Sequence, residues 1–167
     1  VFSHGYGGIH LQSIGLMEAL ASHGFIVASV EHTGNAQASN TDSFDVAASN
    51  RVPDVSFLID TMLARSADSE DLFYDRIDDE RVGVLGHSFG GMTAIGSAAG
   101  WAGAPADSRV AAIVPMSAVI QPDLQSTLRE SPNAGFTPEQ LPTIEVPVML
   151  IGGTKDDDVL ISNNEVG

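Results

Sequence analysis

The stretch Val84-Leu85-Gly86-His87-Ser88-Phe89-Gly90-Gly91 constrains this chain more than any other. An apolar run enters Gly-x-Ser-x-Gly and leaves into a row of small residues. The pattern predicts a strand over residues 81–85, a helix over residues 91–99, and Ser88 on a tight corner with its hydroxyl pointing away from the backbone. Gly86 and Gly90 have no side chains, so strand and helix can approach closely around a strained position. The five-residue pattern occurs by chance when it stands alone. Here the strand before it and the helix after it give it weight.

A serine hydroxyl is a poor nucleophile at neutral pH. It needs a base, a carboxylate to orient that base, and donors for an oxyanion. The amide of the residue after the serine, Phe89, is one expected donor. The loop His4-Gly5-Tyr6-Gly7-Gly8 supplies a second, the amide of Tyr6. The carboxylate should follow a later strand. Asp156 fits, since it leaves the apolar run Val146–Ile151 through Gly152-Gly153. Asp157 and Asp158 follow at once and are alternatives for the same role; the competing reading is that all three form a solvated acidic turn. The base is missing from the pattern. A nucleophile on such a corner is followed by its acid and then by its histidine. All 5 histidines precede Ser88. The expectation is that His87 packs, that His4 helps hold the glycine loop, and that His10, His23 and His32 are ordinary surface or loop residues.

Strands and helices alternate along the chain, which predicts an α/β protein with a parallel sheet covered on both faces. Its 167 residues suit a single domain, with no linker or internal repeat. The expected order opens with a strand at residues 1–3. A helix over 11–22 follows, with Leu11, Ile14, Met17 and Leu20/Ala21 on its buried face. Residues 25–30 form a buried strand and residues 32–49 a long polar loop. The next helix is capped by Asn50, has Pro53 in its first turn, and buries Val55, Leu58, Ile59 and Met62. After the Ser88 corner come strands at 110–114 and 146–151. Between them lies an excursion, residues 121–143, a candidate lid or insertion with a one-turn capping box at Thr137–Gln140.

Charge and composition remove several functions. The formal net charge is −15, with 22 acidic side chains against 7 basic ones. Such a surface repels phosphate backbones and anionic headgroups, so nucleic acid is not a partner. No apolar run reaches membrane-spanning length. There are no cysteines, which removes disulfides, thiol catalysis and cysteine-bound zinc. That absence fits secreted, periplasmic and cytoplasmic proteins alike. The chain starts at Val1 inside a strand and stops at Gly167 in polar sequence. The expectation is a piece of a longer protein, cut at both ends.

The chain resembles the α/β-hydrolases. Within them it is similar to bacterial dienelactone-hydrolase-like and platelet-activating-factor-acetylhydrolase-like esterases. The resemblance rests on Phe2-Ser3-His4-Gly5-Tyr6-Gly7-Gly8, Leu20–Phe25, Val30-Glu31-His32, Arg51–Phe57, Gly86–Gly91, and Phe136–Leu141 leading into Val146-Pro147-Val148. The glycine-aromatic loop is also similar to that of polyester hydrolases such as cutinases. The resemblance implies five strands, the family's third to seventh, in spatial order fourth, third, fifth, sixth, seventh. It implies Ser88 as nucleophile, Tyr6 and Phe89 as oxyanion amides, Asp156 as acid, and no metal or organic cofactor. The implied substrate is a small-molecule, lipid or polyester ester. Two departures stand out. The terminal strand and helix with the catalytic histidine are missing, so the piece alone should be a weak catalyst with two uncovered sheet edges. Some relatives carry the acid one strand earlier, where this chain has Pro115-Met116-Ser117-Ala118. A thioesterase on the same scaffold and a non-catalytic binding protein of the same fold are the alternatives.

Overall fold

The structure is a computed structural model that describes residues 1–121 and 130–156. Its centre is a parallel sheet. Strand β1 (Phe2–Ser3) lies between β2 (Ser29–Val30) and β5 (Val82–His87), and β6 (Val110–Met116) lies beyond β5. The register pairs Phe2 with both Ser29 and Leu85, and Leu85 with Val114. Past β6 the segment around Val148–Ile151 runs parallel to it, bridging Ile113 to Val148 and Met116 to Ile151. The expected spatial order of five strands is therefore present.

Helices α2 (Phe44–Ala67) and α3 (Phe89–Ala99) pack on each other over one face of the sheet. Val52, Val55, Met92, Ile95 and Trp101 share that core with Val84 and Ile113. Helix α3 is built for burial, and every residue from Phe89 to Ser97 is buried. Its two hydroxyls are satisfied inside the helix, Thr93 on the Phe89 carbonyl (2.9 Å) and Ser97 on that of Thr93 (2.8 Å). On the other face Leu85, Val114 and Met116 line a groove of about 660 Å³ with Leu16, Leu20, Phe25 and Ile26.

Several expectations are corrected. Helix α1 spans Ile14–Ser22 rather than starting at Leu11, because Ser13 sits at φ 61° and breaks the helical path. Only Met17 of its apolar stripe is buried, while Leu11 and Ile14 are exposed. The strand expected over 25–30 narrows to Ser29–Val30, and Phe25 is 62% exposed. Among the described residues only β1 pairs with it, so its apolar side chains lack a second neighbour. The polar loop contains a hairpin, β3 (Asn35–Ala36) with β4 (Ser39–Asn40). Helix α2 begins six residues before Asn50, capped by the Ser43 hydroxyl on the Val46 N–H (3.4 Å), with Asp45 in the first turn. Pro53 lies inside this helix instead of opening it, and the helix forgoes one backbone hydrogen bond there. The strand before Ser88 runs on to His87 and the helix starts at Phe89, which leaves Ser88 alone at the corner.

Of the excursion over 121–143, residues 122–129 lie outside the described residues. The described part packs down. Phe136 is buried and its N–H reaches the Ile120 carbonyl (2.9 Å). The expected capping box appears as one half, the Gln140 side chain accepting from the Thr137 N–H (2.9 Å), ahead of a 3-10 turn at Leu141–Thr143.

Candidate active site

Ser88 has φ 55° and ψ −117°, a backbone conformation that non-glycine residues adopt only under constraint. The constraint is visible. Its N–H donates to the Met116 carbonyl (2.8 Å), and its own carbonyl accepts from Met92 N–H (3.1 Å). The two glycines of the motif let three backbones meet. A Cβ on Gly86 would fall 2.3 Å from the Gly90 carbonyl oxygen, and one on Gly90 would fall 1.9 Å from that of Ser3. Phe89 opens α3, so its N–H has no acceptor within the helix. The Phe89 ring is buried against Tyr6 (centroids 5.4 Å apart), Phe44 (5.0 Å) and Trp101 (5.3 Å).

The glycine loop leaves the carboxyl end of β1 next to this corner. Its Gly5 carbonyl accepts three donors: His4 Nδ1 (2.7 Å), Arg51 Nη2 (3.1 Å) and the Gly8 N–H (3.1 Å). The Gly5 N–H donates to Gln12 Oε1 (2.7 Å), and Gln12 Nε2 donates to His87 Nδ1 (3.1 Å). His4 is fully buried, and its tautomer follows from its partners. Nδ1 faces a carbonyl and must donate, while Nε2 accepts the His32 N–H (3.3 Å). His4 thus holds the loop as expected, as a neutral ring.

Beneath the loop lies a polar network that the sequence reading did not assemble. Arg51 is completely buried. It donates to the His4 carbonyl, the Gly5 carbonyl, Asn35 Oδ1 and Ser3 Oγ, and its guanidinium stacks 4.5 Å over the Phe89 ring. Ser3 Oγ meets His32 Nε2 (2.9 Å), and His32 Nδ1 meets Asp54 Oδ2 (2.7 Å). With Asp54 ionised, the hydrogen bonds run one way, from Arg51 through Ser3 and His32 to Asp54. The order Ser-His-Asp imitates a hydrolytic triad, yet Ser3 and His32 are 0% and 1% exposed and no substrate can reach them. His32 is therefore a buried link, not the surface residue expected, because its ring bridges β1 to α2. A sequence signal for Arg51 existed. Residues 51, 55 and 59 share one helical face, which becomes visible once the helix is taken to start at Ser43. His10 and His23 are exposed as expected, His10 paired with Glu31 (2.5 Å).

Burial lowers the pKa of His4 and takes that of His32 well below its ordinary 6.5. Both rings stay neutral in the fold and gain a proton on unfolding in mild acid. Stability must therefore fall as pH drops through 6.5. Asp54 acts in the opposite sense. Burial raises it to about 6, against the weaker downward pull of Arg51. Between about 4 and 6 the folded form keeps a proton that the unfolded chain has lost, which favours folding as pH falls. The two histidines outweigh it, so the urea midpoint should decline from pH 7.5 to pH 5.5. In Asp54→Asn the decline should steepen. A level midpoint over that range contradicts the assignment of two neutral buried rings.

Asp156 lies in a turn, its N–H donating to the Gly153 carbonyl (3.2 Å). It follows Ile151, which bridges Met116, the residue that holds the Ser88 N–H. Tyr6, Ser88 and Asp156 thus all leave the carboxyl edge of the sheet, where open α/β sheets bind ligands. Asp157 and Asp158 lie outside the described residues. Among the described residues no cluster of His, Cys, Asp and Glu could hold a metal ion, and no helix is long and apolar enough to cross a membrane.

A family model described as alpha/beta hydrolase fold matches residues 1–156. The chain belongs to the α/β-hydrolase superfamily, and its fold is consistent with hydrolase activity. No curated protein matches it significantly.

Proposed function

We propose that this chain carries the nucleophile and oxyanion site of a serine hydrolase acting on carboxylic esters, of the dienelactone-hydrolase-like or platelet-activating-factor-acetylhydrolase-like type. The observation that carries the reading is the constrained Ser88 corner at the head of α3, beside the loop of Tyr6. Ser88 Oγ attacks the ester carbonyl, and the C–O bond to the leaving alcohol breaks as the tetrahedral oxyanion collapses to an acyl-serine. Water then attacks the acyl carbon and releases the acid. The amides of Tyr6 and Phe89 receive the oxyanion in both steps. Asp156 orients the base, with Asp157 and Asp158 as alternates. The base is a histidine outside these 167 residues, because the five present are buried in the network, bound to Gln12, or exposed on the surface. Among them, His4 and His32 are needed as neutral packing groups. The described part of the excursion and the exposed Tyr6 ring border the acyl side, and no organic or metal cofactor takes part.

The test uses the complete open reading frame and a fluorophosphonate probe. One covalent label should appear on Ser88, and Ser88→Ala should abolish both the label and hydrolysis of p-nitrophenyl acetate and butyrate. Labelling elsewhere, or none in a folded protein, removes the reading. Residues 1–167 alone should retain only the part that oxyanion stabilisation and binding supply, roughly 10³–10⁴ over water. Equal rates from the two proteins would mean that the base lies within this chain.

A further inference from the structure

The Gly5 carbonyl and the Tyr6 N–H belong to one peptide unit. That unit is planar and trans, so the two groups point in opposite directions. Fixing the carbonyl fixes the direction of the amide. The structure places four restraints on this residue. Arg51, His4 and the Gly8 N–H hold the Gly5 carbonyl, and Gln12 holds the Gly5 N–H. Arg51 does more than a neutral donor could. It also holds the preceding carbonyl, of His4, and its guanidinium carbon lies 4.5 Å from the ring centre of Phe89, the residue of the other proposed donor. Gln12 works from the opposite side. One end of its amide takes Gly5 and the other takes His87, the residue before Ser88, so a single side chain ties the glycine loop to the serine corner.

From this geometry we infer that Arg51 and Gln12 are positioning residues that aim the Tyr6 amide at the oxyanion, Arg51 from beneath the loop and Gln12 across to the Ser88 corner. The inference rests on the reading of Ser88 and Tyr6 as nucleophile and oxyanion donor. Neither side chain touches substrate. Each acts on the donor through the peptide it restrains, so each should matter more once charge has developed on the oxygen than while the ester is only bound. A buried guanidinium is also expensive to lose for stability, since its removal strands the acceptors it serves. Gln12 is partly exposed, and its loss leaves the core intact.

The experiment takes Arg51→Met and Gln12→Ala in the complete protein and reads three quantities. These are kcat and KM for p-nitrophenyl butyrate, and affinity for a trifluoromethyl ketone, which binds as a tetrahedral adduct, against the parent methyl ketone. Active sites are counted with fluorophosphonate. In Arg51→Met, kcat per labelled site should fall about 30- to 100-fold with KM within twofold. In Gln12→Ala it should fall about 5- to 10-fold. In both, the preference for the trifluoromethyl ketone should shrink with kcat. A structural role alone would reduce the number of labelled sites and leave kcat per site unchanged. Either variant, folded and keeping the wild-type kcat and ketone preference, overturns the inference. If Arg51→Met does not fold, Gln12→Ala decides by itself. A wild-type protein that fails to label at Ser88 overturns the hydrolase reading first, so the two failures are distinct.

Discussion

Gly90→Ala will not reach the native state. Alanine is favoured over glycine inside a helix by about 1 kcal/mol, and Gly90 lies in the first turn of α3, so propensity alone argues for a stabilised variant. Packing overrules it. The new Cβ would stand 1.9 Å from the Ser3 carbonyl oxygen, 2.6 Å from the Ser3 carbonyl carbon and 2.8 Å from the His4 carbonyl oxygen. All three are backbone atoms of β1 and the glycine loop, held by the sheet and by Arg51, and none can rotate away. Relief requires β1 and α3 to separate, which opens the centre of the sheet. The loss should exceed about 5 kcal/mol, comparable with the whole stability of a small domain. Gly15→Ala is the control. Nothing lies within 4 Å of its added Cβ, and it sits in α1, so it should gain up to about 1 kcal/mol. Urea unfolding of Gly15→Ala and the soluble yield of both variants read the contrast. A folded Gly90→Ala with a midpoint near wild type would mean that strand and helix are not in backbone contact at this corner.

The same contact explains why the centre of the fold was legible in the sequence and its rim was not. Around Ser88 every local signal agreed: an apolar strand, two glycines at the required spacing, and a helix of small residues. Such agreement arises where backbones must touch, because few residue types are allowed there. The alternation of strand and helix pointed to a parallel sheet, while the spatial order of its five strands came only with the resemblance to the α/β-hydrolases. Boundaries failed where tertiary contacts decide. Phe25 and Ile26 read as buried strand residues because hydrophobicity reports a tendency to be covered, not the presence of a covering neighbour. Asn50 reads as the start of α2 because Pro53 suits a first turn. The actual cap, Ser43, lies in a stretch rich in polar residues that masks it. His32 and Arg51 went unrecognised for a related reason. A buried ion network joins residues far apart in the chain, Ser3 to His32 to Asp54, and only the folded strand order brings them together. Around the candidate site, the corner at Ser88 and the hold of His4 on the glycine loop were readable, and the support from Arg51, Gln12 and His32 was not.

Ser88→Gly should separate stability from chemistry at a single atom position. At φ 55° and ψ −117° a serine is held in a conformation that glycine adopts freely, and such strain is worth about 1–3 kcal/mol. Glycine also has more freedom to lose on folding, a penalty of about 0.5–1 kcal/mol. Strain is the larger effect, so Ser88→Gly should unfold at higher urea than wild type, by about 1 kcal/mol. Ser88→Ala keeps a Cβ and with it the strain, and should gain little. In the complete protein both variants lose the nucleophile, and ester hydrolysis should fall by up to roughly 10⁶-fold, as when a triad serine is removed. A serine that merely turned the chain would give a different pair of results. Its replacement by glycine would stabilise the fold and leave any reaction of the protein with esters unchanged. A corner that becomes more stable and inactive together holds its strained residue for the reaction, since packing alone would be better served without it. Urea midpoints of the three proteins, measured beside their rates on p-nitrophenyl butyrate, give the comparison. A glycine variant less stable than wild type would show that the hydroxyl, through bonds of its own, stabilises the corner by more than the backbone strain it imposes.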